Sequence, residues 1–392
     1  MNSIEKRKRR LVDVVEQLAP IWRDLALKIH AYPEVALEEH QASLWLSNAL
    51  KDAGFHVIRG AAGMETSFVA LKETNIDAPI IAFLAEYDAL PGLGHACGHN
   101  LSGAASCLAA HALVNAEKDT DLRIRVLGTP GEEDENAAGK VRMIEHGVLD
   151  DVEFALMAHT GFMNLPNRDM LARRNISIDF SVNKTHQDMG EGNALEAVLM
   201  TFNALLGIRQ KLPSRAQVDG VIVDGGKIVK NKADYSHAQA KFIIRASRMT
   251  HLDELESQLH FEANKAANAT ATTLKWSSSW GRYLPMKRNP AFEAAYKNNL
   301  KFLGIEIGIF PADAPIGSTD CGNVSQILPC IHPYFKVAPR NVEHHTPAFT
   351  ETSGSETGLA AMVNVAKAMA LTALDILTDQ KLRARITDEQ SK

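Results

Sequence analysis

Cysteine is scarce: Cys97, Cys107, Cys321 and Cys330 are the only four in 392 residues, and no two form a C-x-x-C pair. A chain of this length needs no disulfide staples. A reducing, cytoplasmic setting is therefore expected, and Cys97 is left free for other chemistry. Basic residues are also in short supply, 42 Lys and Arg against 47 Asp and Glu, for a formal net charge of −5. That balance lacks the footprint of a nucleic-acid binder. The one basic run, Lys6 to Arg10, reads as a solvated helix start. No apolar stretch approaches the ~20 residues that span a bilayer. The opening Met1-Asn2-Ser3-Ile4-Glu5 has no apolar core of a secretory signal, so no membrane is expected as a partner. A Gly-x-Ser-x-Gly elbow and a phosphate loop are both missing, which leaves serine-nucleophile and nucleotide-driven chemistry without support. Internal repeats and low-complexity segments are absent too.

What remains is an ordinary globular composition, 45% hydrophobic and 23% charged. The length exceeds what one core usually fills, which implies two domains. Leu11, Val14, Val15, Leu18, Trp22 and Leu25 recur at helical spacing, giving an amphipathic first helix with Pro20 as its candidate break. A second helix is predicted from Glu38 to Ala53. Three segments then share one layout. The apolar run 79–85 leads into Glu86-Tyr87-Asp88, the β-rich run 122–127 leads into Glu132-Glu133, and the run 154–158 ends at His159. Helices over 101–116 and 140–145 lie between them. Strands alternating with helices imply βαβ units and a mostly parallel sheet, whose ligands bind beyond the carboxyl ends of the strands.

From about residue 174 the pattern changes to alternating strands and two helices in the order β-α-β-β-α-β, that of the ferredoxin-like split unit. Asn193 and Glu196 are placed to open the first of those helices. The expected fold class is therefore α/β: a mostly parallel-sheet domain over 1–173 and 281–392, interrupted by an inserted ferredoxin-like α+β domain over 174–280. The C-terminal part closes on a long Ala-rich helix over 353–377.

Three weak signals point to one site. In His95-Ala96-Cys97-Gly98-His99-Asn100 a thiol and an imidazole flank a single glycine, and both are ligands for borderline divalent metals. The helix start there should also lower the cysteine pKa. Glu132-Glu133 and His159 are each unremarkable alone. All three lie at carboxyl ends of expected neighbouring strands, so they should meet and hold a metal. One glutamate can then bind the ion. The other can take a proton from water that the ion acidifies towards pKa ~7 and deliver it to a leaving group.

The motifs 85–100, 128–133, 140–159, 192–195, 317–320 and 341–349 resemble the metal-dependent aminoacylase and carboxypeptidase superfamily, nearest its amidohydrolase branch. That branch includes auxin-conjugate hydrolases, aminobenzoyl-glutamate hydrolases and dipeptidases acting on basic dipeptides. The resemblance implies Cys97, His99, Glu133, His159 and His345 as metal ligands, with His344 the alternative to His345, and Glu132 as general base. It implies one or two divalent ions per subunit, manganese, zinc or cobalt. It also implies a homodimer formed through the inserted domain, with His186 reaching the partner's site to polarise a substrate carbonyl.

Asn100 stands where many relatives carry an acid, Thr185-His186-Gln187 replaces Ala-His-Ala, and Pro130-Gly131-Glu132-Glu133 replaces Pro-Ala-Glu-Glu. The departure at Asn100, next to a metal ligand, bears on whether one or two ions bind; the other two imply an altered choice of small-molecule substrate. The leading expectation is hydrolysis of an amide in an N-acyl or N-aryl amino-acid conjugate or a small dipeptide. The alternatives are a hydrolytic deaminase that releases ammonia and a metal-binding scaffold without catalysis.

Overall fold

The structure is a computed structural model and describes residues 3–182, 192–312 and 314–392. The first helix, Ser3–Ala31, passes through Pro20 without ending. Pro20 faces solvent, while Val15, Ala19 and Trp22 on the opposite face are buried and hold the helix together across the missing N–H. The basic run at its start is less solvated than expected. Arg7 and Arg10 both pair with the buried Glu117, and Lys8 pairs with Asp375 at 2.7 Å.

The helix His40–Asp52 follows, then strands β1 (His56–Arg59), β2 (Phe68–Glu73) and β3 (Ile80–Ala85), the helix His99–Ala116, β4 (Arg123–Gly128), the helix Gly139–Glu145, β5 (Phe154–Leu156) and β6 (His159–Gly161). The middle segment holds β7 (Ala172–Val182), the helix Ala194–Arg209, β8 (Gln217–Asp224), a short hairpin of β9 (Lys227–Val229) and β10 (Lys232–Asp234), β11 (His237–Ala246), the helix Met249–Ala269 and β12 (Thr272–Ser278). The last segment contributes β13 (Cys330–Ile331), β14 (Tyr334–Lys336) and the helices Pro290–Phe302, Pro347–Ser353, Glu356–Thr378 and Gln380–Gln390.

The chain divides into two compact units. One comprises residues 1–169, 286–315 and 323–392, the other 170–285 and 316–322. In the larger unit a six-stranded sheet runs in the order β1-β2-β4-β3-β5-β13. β4, β3, β5 and β13 are mutually parallel, whereas β1 and β2 are antiparallel additions at one edge. Every residue of β3 is buried, as its unbroken apolar run requires of a central parallel strand.

The helix Glu356–Thr378 corrects one expectation from the sequence. It is long and apolar enough to cross a membrane, with a mean hydropathy of 1.5, yet 78% of that window is buried inside the protein. Lys367 and Asp375 interrupt the run, while its alanines, valines and leucines keep the average high. Its burial within the hydrophobic core explains that composition.

The smaller unit holds a four-stranded antiparallel sheet in the order β12-β7-β11-β8. Apolar residues of the helices Ala194–Arg209 and Met249–Ala269, among them Val198, Leu205, Leu252 and Leu259, form its core with Ile178, Phe180 and Phe242. Asn193 caps the first of these helices by accepting the N–H of Glu196 at 3.1 Å.

Candidate metal centre

β3 lies between β4 and β5, and each of these neighbouring strands runs out into site residues: Glu86 and Asp88, then Glu132 and Glu133, then His159. His159 does not end β5. It begins β6, which pairs with β14. The helix His99–Ala116 is entered at Gly98, whose φ is +74° and where a Cβ would lie 2.5 Å from Thr160 Cγ2. Only glycine lets the Cys97–His99 turn press this closely on β6.

The result is contact between groups distant in sequence. Cys97 Sγ lies 3.3 Å from His159 Nε2. His159 Nδ1 lies 2.9 Å from the Thr160 carbonyl oxygen. A carbonyl only accepts, so Nδ1 carries the proton and Nε2 turns its lone pair towards Cys97. His99 is held in the same manner, its Nδ1 lying 2.8 Å from Asp88 Oδ1. Its Nε2 is buried without a hydrogen-bond partner. The second Asp88 oxygen accepts the N–H of Glu133 at 2.9 Å. Asp88 thus orients an imidazole and the backbone of a neighbouring acid together.

Three overlapping sets of donor atoms follow: Cys97, His99 and His159; Cys97, Glu133 and His345; and His99, Glu132 and Glu133. Within each set the atoms lie within 4.8 Å of one another. His345 and His344 part company here. His345 Nε2 is 3.4 Å from Glu133 Oε1. His344 stacks on Phe349 at 4.2 Å and turns its Nε2 to the Thr160 carbonyl oxygen at 3.2 Å. His186 lies outside the described residues.

The electrostatics are those of a site that wants a cation. Burial drives the Cys97 thiol well above its ordinary pKa, and Glu133 drives it further. This reverses the lowering expected from a helix start, because a buried thiolate beside a carboxylate is costly. Burial also depresses His159, with His332 and His99 adding to the effect. Burial depresses His99 as well, but Asp88 and Glu86 outweigh it and hold this imidazole well above its usual value. Burial raises Glu133, yet hydrogen bonding from His345 and the charge of His99 bring it down to about 2. Thiolate, imidazole and carboxylate are a suitable donor set for a divalent ion. Such an ion would stabilise the Cys97 thiolate and take up the lone pair of His99 Nε2, which has no hydrogen-bond partner. The residues therefore fit the group.

Several neighbours escaped the sequence reading. Glu86 forms a fully buried ion pair with Lys140, and its Oε2 lies 3.4 Å from His99 Nε2. The His332 ring lies 5.4 Å from that of His159, and its pKa falls to about 3, through burial and then the charge of Lys140. Glu86 and Asp88 do carry a signal, since they are charged residues directly after a wholly apolar strand. Nothing local marks Lys140 or His332.

Comparison with known proteins agrees with this geometry. The model of peptidase family M20/M25/M40 matches residues 82–374. The Xaa-Arg dipeptidase of Mus musculus is 33% identical over 96% of this chain and 90% of its own length. One of the subunits of the Escherichia coli p-aminobenzoyl-glutamate hydrolase is 31% identical over 76% of this chain and 65% of its own. Among solved structures, an aminobenzoyl-glutamate utilization protein from Klebsiella pneumoniae superposes with a TM-score of 0.72 at 16% identity, covering 92% of this chain and 98% of its own. A dinuclear metal-binding M20 peptidase from Bacillus subtilis does so with a TM-score of 0.66 at 18% identity, covering 93% and 99%. At such identities the structural likeness is one of fold. With the family model spanning the donor cluster and a relative matched nearly end to end, the chain belongs to peptidase family M20/M25/M40 and is a metal-dependent hydrolase acting on amide C–N bonds.

Proposed function

We propose that the substrate is a small dipeptide ending in a basic residue, cleaved at its amide bond. The observation that carries this reading is the near full-length match to an Xaa-Arg dipeptidase. The match to the aminobenzoyl-glutamate enzyme covers less of both chains. Cys97, His99, Glu133, His159 and His345 hold the metal. Cys97 and Glu133 each belong to two donor sets, which suits a pair of manganese or zinc ions sharing ligands. Bound metal polarises the scissile carbonyl and acidifies water.

Glu132 is the general base. It is largely buried beside His99 and Glu133, where it accepts a proton from water and returns it to the departing nitrogen. The smaller unit serves as a ferredoxin-like lid through which two chains pair. The order β12-β7-β11-β8 and the two helices on that sheet support this reading. His186 of one subunit then donates to the carbonyl oxygen in the other. Four free cysteines, all buried, suit a reducing cytoplasm.

The test is a panel with manganese, zinc or cobalt: Ala-Arg, Ala-Lys, Ala-Glu, N-acetylated amino acids and p-aminobenzoyl-glutamate. Release of free arginine or lysine at the highest kcat/KM is expected. Preferred turnover of the aminobenzoyl or acetyl substrates would overturn the dipeptide assignment, and ammonia as the product would make the enzyme a deaminase.

A further inference from the structure

Glu39 is a completely buried carboxylic acid, and no Lys, Arg or His pairs with it among the described residues. It stands at the N-cap of the helix His40–Asp52 but makes no capping bond. Glu34 does that work instead, accepting the N–H groups of Gln41 and Ala42 at 2.9 Å. Glu39 is thereby freed to turn away from its own helix. Its Oε1 accepts the N–H of Gly131 at 2.8 Å, and its Oε2 accepts the Thr66 hydroxyl at 3.0 Å.

Gly131 immediately precedes Glu132 and sits at φ +68°, where a Cβ would come 2.4 Å from Ala137 Cβ. The next N–H but one, that of Glu133, is held by Asp88. The backbone on both sides of Glu132 is therefore gripped by buried acids. Asp88 also orients His99, so its grip belongs to the metal donors. Glu39 touches none of those donors. Burial, and then the charge of Asp88, raise its pKa to about 8. Protonated, it still offers an oxygen acceptor to Gly131.

We infer that Glu39 is a positioning residue, which fixes the direction of the Glu132 side chain through the Gly131 N–H. The inference rests on the reading of Glu132 as general base. A proton acceptor displaced by even ~1 Å loses much of its effect, up to ~10²-fold in rate. Freeing Gly131 should therefore damage turnover while sparing substrate binding and metal.

The experiment compares Glu39→Leu, Glu39→Gln and Thr66→Val in the metal-loaded enzyme. Glu39→Leu should lower kcat at least ~10-fold, with KM within ~2-fold and metal per chain unchanged by elemental analysis. Glu39→Gln keeps an oxygen for Gly131 and should restore most of kcat. If Glu39→Leu does not fold, Thr66→Val carries the test. It frees the other oxygen and should lower kcat by a few fold, again without change in KM or metal. Unchanged kcat in the folded variants, or a fall in kcat matched by loss of metal, would overturn the inference. Glu132→Gln, measured in parallel, separates the two readings. An active Glu132→Gln enzyme contradicts the general-base assignment itself. An inactive one beside a normal Glu39→Leu enzyme contradicts only the positioning role.

Discussion

Cys97 Sγ and His159 Nε2 lie 3.3 Å apart although 62 residues separate them in the chain. The thiol enters from the turn beyond β3 and the imidazole from the residue that opens β6. Their contact exists because β3 and β5 are adjacent parallel strands and Gly98 lets the turn close on Thr160. The donor cluster is thus a consequence of strand order.

The two C-terminal histidines should separate cleanly. His345 faces Glu133, whereas His344 faces Phe349 and the Thr160 carbonyl. His345→Ala should reduce metal content and activity together, by ~10-fold or more in affinity. His344→Ala should keep its metal even when the ion is limiting. Elemental analysis after dialysis against limiting metal decides this, and the opposite ranking would reassign the ligand.

Glu132→Gln should retain metal and fold yet lose at least ~10²-fold in kcat, the lower range for general acid–base catalysis. Near-normal turnover in the metal-replete variant would move the role to another residue.

Glu117 gives a pH-dependent stability. Burial pushes its pKa up, but hydrogen bonds from Arg7, Thr120 and Arg10 outweigh burial and leave it below the ordinary carboxylate value. A depressed folded pKa stabilises the fold above the unfolded value near ~4.3, and that stabilisation is lost as pH falls through the folded pKa. Glu117→Gln should therefore cost about 1–2 kcal/mol at neutral pH, discounted for the exposure of Arg10. Denaturant unfolding of metal-stripped protein should show the gap between variant and wild type closing below about pH 4. A gap independent of pH would mean that packing, not charge, is what the glutamine removes.

The trans role of His186 is tested by mixing two inactive proteins, Glu132→Gln and His186→Ala. An oxyanion donor contributes roughly 3 kcal/mol to the transition state. If His186 serves the partner's site, mixed dimers contain one complete site and activity returns. No recovery after verified subunit exchange would contradict the assignment.

Much of this was legible in the sequence because its chemistry sits where periodicity stops. The runs 79–85 and 154–158 are too apolar to be anything but buried strands, so the acids and the histidine after them had to emerge at one edge of the sheet. The two antiparallel strands at one side of the sheet, β1 and β2, were not legible: β1 at the edge is mostly exposed, and β2 opens on the wholly apolar run 68–71, so its alternating burial leaves no polar–apolar pattern. Pro20 misled in the other direction. A local rule breaks the helix there, and tertiary packing around Trp22 overrides it. The roles of Glu39 and Lys140 were invisible for a common reason: a buried ionisable group is recognised by what surrounds it, and those neighbours come from remote parts of the chain.

The central claim is that the Cys97 cluster is the metal centre on which amide hydrolysis depends. The direct measurement strips the protein of metal, adds back cobalt(II) in steps, and follows arginine release from Ala-Arg alongside the thiolate-to-cobalt charge-transfer absorption. The stripped enzyme should be inactive. Activity and absorption should then rise together to a common endpoint, and Cys97→Ser should show neither. Full turnover by verified metal-free protein, or recovery in Cys97→Ser equal to that of wild type, would contradict the account.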